Sequence, residues 1–362
     1  MNDARKPYFR RCASHTPSIS DWGDPHIAAH MQLQRTENGK DGASLMPGQI
    51  QHHTVPRMYF EGFADGLKMT AINVHTSKVH GISIRDATTS RYFYLSPNAG
   101  DPNGFEDALS TVEDRAKPLL RRADDGQWPL APEERTTFAV YLALQLMRGR
   151  DHRHQLHQIM NAEVRHLAIT APDELARMMK LQCAPDGLGF LSGGLDASQA
   201  RDGHLIQMST GLAELAELFL IRRWRLVRFA EPALITSDAP VTPMPDPMST
   251  DDSPLGLENA YALLFPMNRR LGLQMFRPRP EHFHPGVLEE VISGARDTLV
   301  PGRARHQEDF NLRTVMNAYE RVFHHPDDAA LVPEGFASLA ELGGRVDFSH
   351  TTRRAPSKPN PA

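Results

Sequence analysis

His52 and His53 stand side by side just before Thr54-Val55-Pro56. Proline disfavours helix at the residue preceding it, so the pair is expected in an extended segment, where adjacent side chains point apart. One imidazole then faces a given pocket and serves there as base, acid or metal ligand near pH 7. Pinning the chain entry through a hydrogen bond is the plainer role for the same residue. Glu106 and Glu113 lie seven apart and fall near one helical face. Glu113 follows Val112; turned inward, its carboxylate beside an imidazole would hold a divalent ion or fix a tautomer. A solvated helix carboxylate is the alternative.

Gln145 and Arg148 sit three apart on the most apolar helical segment of the chain. A guanidinium buried there needs a partner, either a ligand phosphate or carboxylate, or an internal acid such as Glu113 or Asp238. Ser237-Asp238-Ala239-Pro240 closes an apolar strand-like run. Asp238 there is either a functional acid at a strand end or a turn-former accepting local N–H groups. Asn317 and Arg321 are four apart near the last helical pattern, and Asn317 either positions a ligand or ties its amide to the 237–240 loop. His152, His154, His157 and His166 lack an acidic companion and the HExxH spacing, so solvated histidines are expected. Ser237 lies outside any GxSxG elbow, and GLGFLSGG at 187–194 lacks both the Walker lysine and the strand–GxGxxG–helix order.

The elements that must carry these groups change period along the chain. Residues 1–50 show no periodicity and read as a flexible arm, and residues 349–362 as a disordered tail. Between them, 51–348 reads as one domain. Short β-branched alternation over 69–86 and the aromatic run 91–96 predict a small hairpin or a pair of short strands. Helical spacing follows from Phe105 to Leu120, with Pro118 expected to kink or restart the helix. Further helices are expected over 133–148, 151–166, 171–182 and 201–220, with a glycine-rich loop at 185–196. Alternation returns at 222–230, 233–241, 260–268 and 271–276, before a last helix over 307–320. The fold class is therefore α+β, mostly helical with a small antiparallel β-sheet.

The chain has 362 residues, 40% of them hydrophobic and 23% charged, which is globular composition with enough length for a substantial core. Forty basic residues face 44 acidic ones, for a net charge of −4. A dominant basic footprint for duplex binding is thus excluded, while a local patch stays open. Two cysteines, Cys12 and Cys183, build no disulfide framework, so a cytoplasmic setting is expected. The sequence carries neither an apolar run near 18 residues nor a leader-type h-region.

HHTVPRMYFEGFAD resembles the amino-terminal HHxVPxxYLxxF signature of DUF4238 proteins, a bacterial family of unknown function. FEDALSTVED is similar to that family's Glu-bearing helix and YLALQLMRGRDHR to its LQxxRxxxxR helix. RWRLVRF and ALITSDAPV resemble its Trp strand and SDxPV turn, and NAYERVF its late Asn-containing helix. The resemblance spans about 51–325 and implies that His52 or His53, Gln145, Arg148, Ser237, Asp238, Pro240, Asn317 and, less directly, Glu113 belong to one pattern. Arg57 replaces a frequent Gln and Ala239 a frequent Asn, which weakens anion binding by the turn itself.

The expected chemistry is cleavage of a phosphodiester, as in a nuclease, on nucleic acid or a phosphorylated ligand. His53, Asp238 and Glu113 would be catalytic, with Glu113 and Asp238 holding Mg2+ or Mn2+. His52, Gln145, Arg148, Ser237 and Asn317 would contact substrate. The alternative is a noncatalytic binding or regulatory protein whose polar cluster secures the fold. Composition does not specify the oligomeric state.

Overall fold

The computed structural model describes residues 51–94, 104–171, 173, 197–248 and 255–337. The expected arm, the tail, the 171–182 helix and the 185–196 loop lie wholly or mostly outside the described residues. The fold is α+β and dominated by helix.

The chain enters as β1 (Gln51–His53), turns at Pro56 and forms one helical turn, α1 (Arg57–Phe60). Pro56, with φ −63°, supplies the extended residue ahead of that turn. β2 (Lys68–Asn73) and β3 (Val79–Ser83) make the expected hairpin. β4 (Thr89–Arg91) returns to pair antiparallel with β1, setting His52 opposite Ser90 and His53 opposite Thr89. Of the 91–96 run, the described residues 91–94 are strand only at Arg91, where the positive φ of 54° at Tyr92 ends the ladder; 95–96 lie outside the described residues.

Four long helices follow: α2 (Gly104–Asp124), α3 (Pro132–Met147), α4 (Arg150–Thr170) and α5 (Ala197–Leu220). Pro118 does not divide α2, which runs through it for 21 residues. Pro118 is exposed, so water can reach the carbonyl whose helical donor it lacks. α3 starts with Pro132 in its first turn, and the Glu134 carboxylate accepts the Ala131 N–H at 3.1 Å. Its central position follows from an apolar surface on all sides: Phe138, Tyr141, Leu142, Leu144 and Met147 are buried against α2 and α5.

The second half is strand-rich. β5 (Arg223–Arg228), β7 (Thr242–Met244), β8 (Ala262–Asn268), β9 (Leu271–Phe276) and β10 (Thr298–Pro301) form a sheet in the order β10-β5-β9-β8-β7. β10 runs parallel to β5 and the other pairs are antiparallel. α6 (Pro285–Ile292) and α7 (Ala304–Asn317) flank β10 in sequence. A second sheet, β3-β2-β11-β6, joins the early hairpin to β6 (Thr236–Ser237) and β11 (Arg321–His324). Among the described residues the strands thus form three sheets, one of them mixed, where one small antiparallel sheet is expected from the sequence. The last helix ends at Asn317, and Arg321 lies in a strand rather than one turn further along it.

Helices and sheets share one large core in which Trp224, Phe138, Tyr141, Tyr59 and Phe265 are wholly buried. Tyr59 and Phe265 stack at 5.2 Å, so the turn after Pro56 is held on the face of β8. Gly272 lets the Phe310 ring of α7 lie directly on β9, where a Cβ would strike it.

Candidate functional site

Strand pairing fixes the two histidines first. The His52 Nδ1 accepts the Tyr94 N–H at 2.7 Å and its ring stacks on Tyr94 at 5.4 Å. His52 therefore anchors the end of the β4 segment. His53 points the other way, as period-2 geometry requires. Its Nε2 stands 2.8 Å from the Arg85 carbonyl and 3.0 Å from the Arg57 Nε. A protonated Nε2 donates to Arg85, whereas a bare Nε2 accepts from Arg57, so the tautomer selects the partner. Burial, reinforced by Arg57 and Arg148, pushes the His53 pKa below 6.5 against the pull of the Arg85 carbonyl and Glu113. The imidazole is thereby kept neutral at pH 7.

Arg148 caps α3 and is 1% exposed. One Nη donates to Glu113 at 2.5 Å, the other to the His53 carbonyl at 2.6 Å, and Nε reaches the Tyr94 hydroxyl at 3.3 Å. Tyr94 and Glu113 hold the guanidinium charged despite its burial. The helix end, β1 and α2 are thus joined through one side chain. Glu106, two turns before Glu113 on α2, has a buried Oε2 without a hydrogen-bond partner among the described residues. Burial pushes Glu106 up to about 7; Arg148 opposes that shift, while Glu113 and Asp107 add to it.

These groups open onto a cleft of about 390 Å³, lined by His53, Arg57, Glu61, Glu106, Asp107, Glu113, Asp114, Lys117 and Arg148 among others. The volume is that of a small-molecule site (roughly 300–1,000 Å³). Lys117 shares Glu61 at 3.7 Å, while Arg57 is exposed on the wall. A neutral imidazole, a carboxyl titrating near neutrality and cations that can meet an anion therefore share one open space.

Asp238 does not line this cleft. Its carboxylate accepts the N–H groups of Tyr319, Glu320 and Arg321 at 2.9, 2.8 and 3.1 Å. Asp238 thereby caps the turn between α7 and β11. Ser237 is fully buried, and its Oγ accepts the Ala239 N–H. Asn317 donates to the Ala239 and Val241 carbonyls at 3.0 and 3.3 Å, clamping the same loop. These three groups form a closed bracket between the 237–241 loop and the end of α7. Gln145 is buried, and neither amide atom has a partner among the described residues. The Tyr141 hydroxyl, one turn earlier, is in the same state. Unmet buried polar atoms cost about 1–3 kcal/mol unless water or a ligand reaches them.

A metal centre on Glu113 and Asp238 lacks a matching donor set. Among the described residues no group of three or more His, Cys, Asp or Glu side chains is placed to hold a metal ion. Glu113 is committed to Arg148, and both Asp238 oxygens accept backbone N–H groups.

Asp151 adds a pH-dependent element to the bracket. Burial and the neighbouring Asp151 carboxylate push Asp238 up to about 7, against its three N–H donors. Burial pushes Asp151 itself up to about 6, and its Oδ1 has no partner among the described residues. Both values lie above those of unfolded aspartates (about 3.9). Their contribution to stability is thus full below about pH 4 and lost as pH rises through 6 to 7. Asp151→Asn is expected to raise stability at pH 8 by more than about 1 kcal/mol and to flatten the decline between pH 5 and 8. Urea denaturation at both pH values checks this. The opposite slope from His204, pushed down to about 3 by burial and Arg153, cancels in the wild-type-to-variant difference. A variant less stable at pH 8 would refute the pairing.

Arg57 and Arg135 carry more of the structure than their sequence context signals. Arg135 interrupts the same apolar helix as Arg148, and that interruption is the legible clue. It pairs with Asp297 at 2.7 Å with both side chains fully buried. Arg57 had only its place beside the histidines to mark it.

The family model for a protein of unknown function (DUF4238) matches residues 51–328, and the chain belongs to that family. The match begins at β1 and ends just after β11, so it takes in the cleft and the Asp238 bracket together. No curated protein and no solved structure matches the chain. No helix among the described residues is long and apolar enough to cross a membrane.

Proposed function

We propose that the His53–Glu106 cleft is the active site of a phosphodiester-cleaving hydrolase, acting on nucleic acid or a smaller phosphorylated ligand in the cytoplasm. The observation that carries this reading is the opposed tuning of two neighbouring groups. His53 is held neutral and Glu106 is pushed up to about 7, both facing the same cleft. Groups whose surroundings move their pKa values apart are suited to act as base and acid. His53 takes a proton from the attacking water or hydroxyl, and Glu106 gives one to the departing oxygen. Arg57 and Lys117 face the non-bridging oxygens, while Arg148 and Glu113 position His53 through its carbonyl. A metal-assisted variant of this chemistry would need donors beyond those gathered in the described residues.

Glu106→Gln is expected to lower kcat on bis(p-nitrophenyl) phosphate about 100-fold, the usual size of a lost acid, with little change in stability. Activity should form a bell. Its acid limb follows His53, which must be neutral and titrates below 6.5; its basic limb lies near 7, where Glu106 loses its proton. The assay is run with EDTA, Mg2+ and Mn2+ in parallel. Turnover unaffected by Glu106→Gln would remove the acid from the scheme.

A second reading, a noncatalytic site for a small anionic ligand, is favoured by Arg57, which is exposed on the cleft wall and has no carboxylate within ion-pair distance among the described residues. Calorimetry with nucleotides that detects binding, with no hydrolysis of any phosphodiester, would select it.

A further inference from the structure

The mixed sheet carries a second polar surface, remote in sequence from the cleft residues. Arg223 pairs across the ladder with Phe276 and Arg225 with Gln274, so the three side chains Arg223, Arg225 and Phe276 share one face. The guanidinium carbons of Arg225 and Arg223 lie 4.6 and 5.7 Å from the Phe276 ring centre. Tyr261 meets the same ring edge-on at 5.6 Å. β10 places Thr298 beside Arg225 in parallel register, and the chain then leads directly into α7. That connection brings Arg303, Arg305 and His306 to the rim of the patch. Arg225, Arg303 and Arg305 all act on His306, helping burial to depress its pKa. None of Arg223, Arg225, Arg303 and Arg305 has a carboxylate within ion-pair distance among the described residues. Asp309, Glu308 and Asp297 are nearby acids; Arg305 and His306 act on Asp309, and Asp297, which Arg223 also acts on, is paired with Arg135. Net positive charge remains.

We propose that this arginine face binds single-stranded nucleic acid. Every strong cation in it is an arginine, whose planar fork grips phosphate oxygens two at a time and whose flat face stacks on rings. Lysine, the compact cation common in diffuse electrostatic surfaces, is absent from the set. Phe276 and Tyr261 form a base-stacking platform, and Arg223, Arg225, Arg303 and Arg305 supply phosphate contacts around it. The patch is too local for the long charged track of a duplex, in keeping with the net charge of −4. The inference rests on the reading of the protein as one that handles phosphodiesters, since it adds a hold on the substrate away from the cleft.

The test is binding of a fluorescent 20-nucleotide single strand to the full chain, measured by anisotropy between 50 and 300 mM salt with EDTA present. Four arginine–phosphate contacts give a log–log salt slope near −3, at about 0.7 per contact. Arg303→Ala/Arg305→Ala changes two exposed residues and is expected to fold as wild type by circular dichroism. It should bind at least 10-fold more weakly at 50 mM salt, with a slope smaller by about 1.4. The variant should still hydrolyse bis(p-nitrophenyl) phosphate at the wild-type rate. Glu106→Gln should lose hydrolysis and bind the strand unchanged, so failure of the cleft chemistry and failure of this surface are separable. Equal affinity of wild type and the arginine double variant would overturn the proposal. So would an absence of binding at 50 mM salt, or binding of anionic lipid vesicles but not of the strand.

Discussion

Arg148→Met is expected to destabilise the protein by about 2–4 kcal/mol and to abolish ligand binding in the cleft. Truncating one partner of a buried ion pair typically costs about 3–5 kcal/mol, because the remaining charge is stranded. Here the upper end does not apply, since Glu113 is 23% exposed and water can solvate part of it. The variant also leaves the Tyr94 hydroxyl without its donor and the His53 carbonyl with only the 3.4 Å hydrogen bond from Tyr94. β1, the Tyr94 segment and the end of α3 then lose their common tie, and the His53 ring loses its fixed place. Denaturant melts and calorimetry with inorganic phosphate measure the two effects together. Wild-type stability with wild-type binding would show that Arg148 is not the tie described.

Arg135→Met should cost more stability, about 3–5 kcal/mol, while leaving the cleft chemistry intact in whatever fraction stays folded. Arg135 and Asp297 are both fully buried. The guanidinium also donates to the carbonyls of Leu220, Ile292 and Arg222 and lies 4.1 Å from the Trp224 ring centre. Asp297 in turn accepts the Trp224 N–H. Removing the arginine strands a buried carboxylate and the buried carbonyls of Leu220 and Arg222, and unpairs the part-buried carbonyl of Ile292. Arg135→Met/Asp297→Leu should recover part of the loss, since well-packed apolar replacements of buried pairs are often near neutral. If the double variant is no more stable than Arg135→Met, stranded charge is not the cause. The contrast between these arginines, 13 residues apart on one helix, separates a residue that serves the cleft from one that serves only the core.

The helices were legible because their apolar residues recur at helical spacing. α3 in particular announces itself by density alone, and the need of Arg148 for a partner follows from that density. Glu113 as the partner was one of two acids the sequence offered. Asp238, the other, instead takes three backbone N–H groups, and backbone donors leave no mark in a pattern of side chains. The same capping explains why NAYERVF is not one helix. Asn317 ends α7 against the 237–241 loop, Asp238 holds the turn, and Arg321 begins β11. Pro118 reads as a breaker in sequence, yet it sits on the solvent side of α2, where a missing N–H is tolerated. The arginine face was hidden for another reason. Arg225 and Arg305 are 80 positions apart, and only the parallel pairing of β10 with β5 brings them together.

The most direct test of the central claim is the pH–rate profile of wild type and Glu106→Gln on one phosphodiester, with EDTA present. The wild-type profile should be a bell falling on the acid side below 6.5, as His53 takes up its proton, and on the basic side near 7, as Glu106 ionises. Glu106→Gln should keep the acid limb and lose the basic one at about a hundredth of the rate. A basic limb that survives in Glu106→Gln would contradict the assignment of Glu106 as the acid.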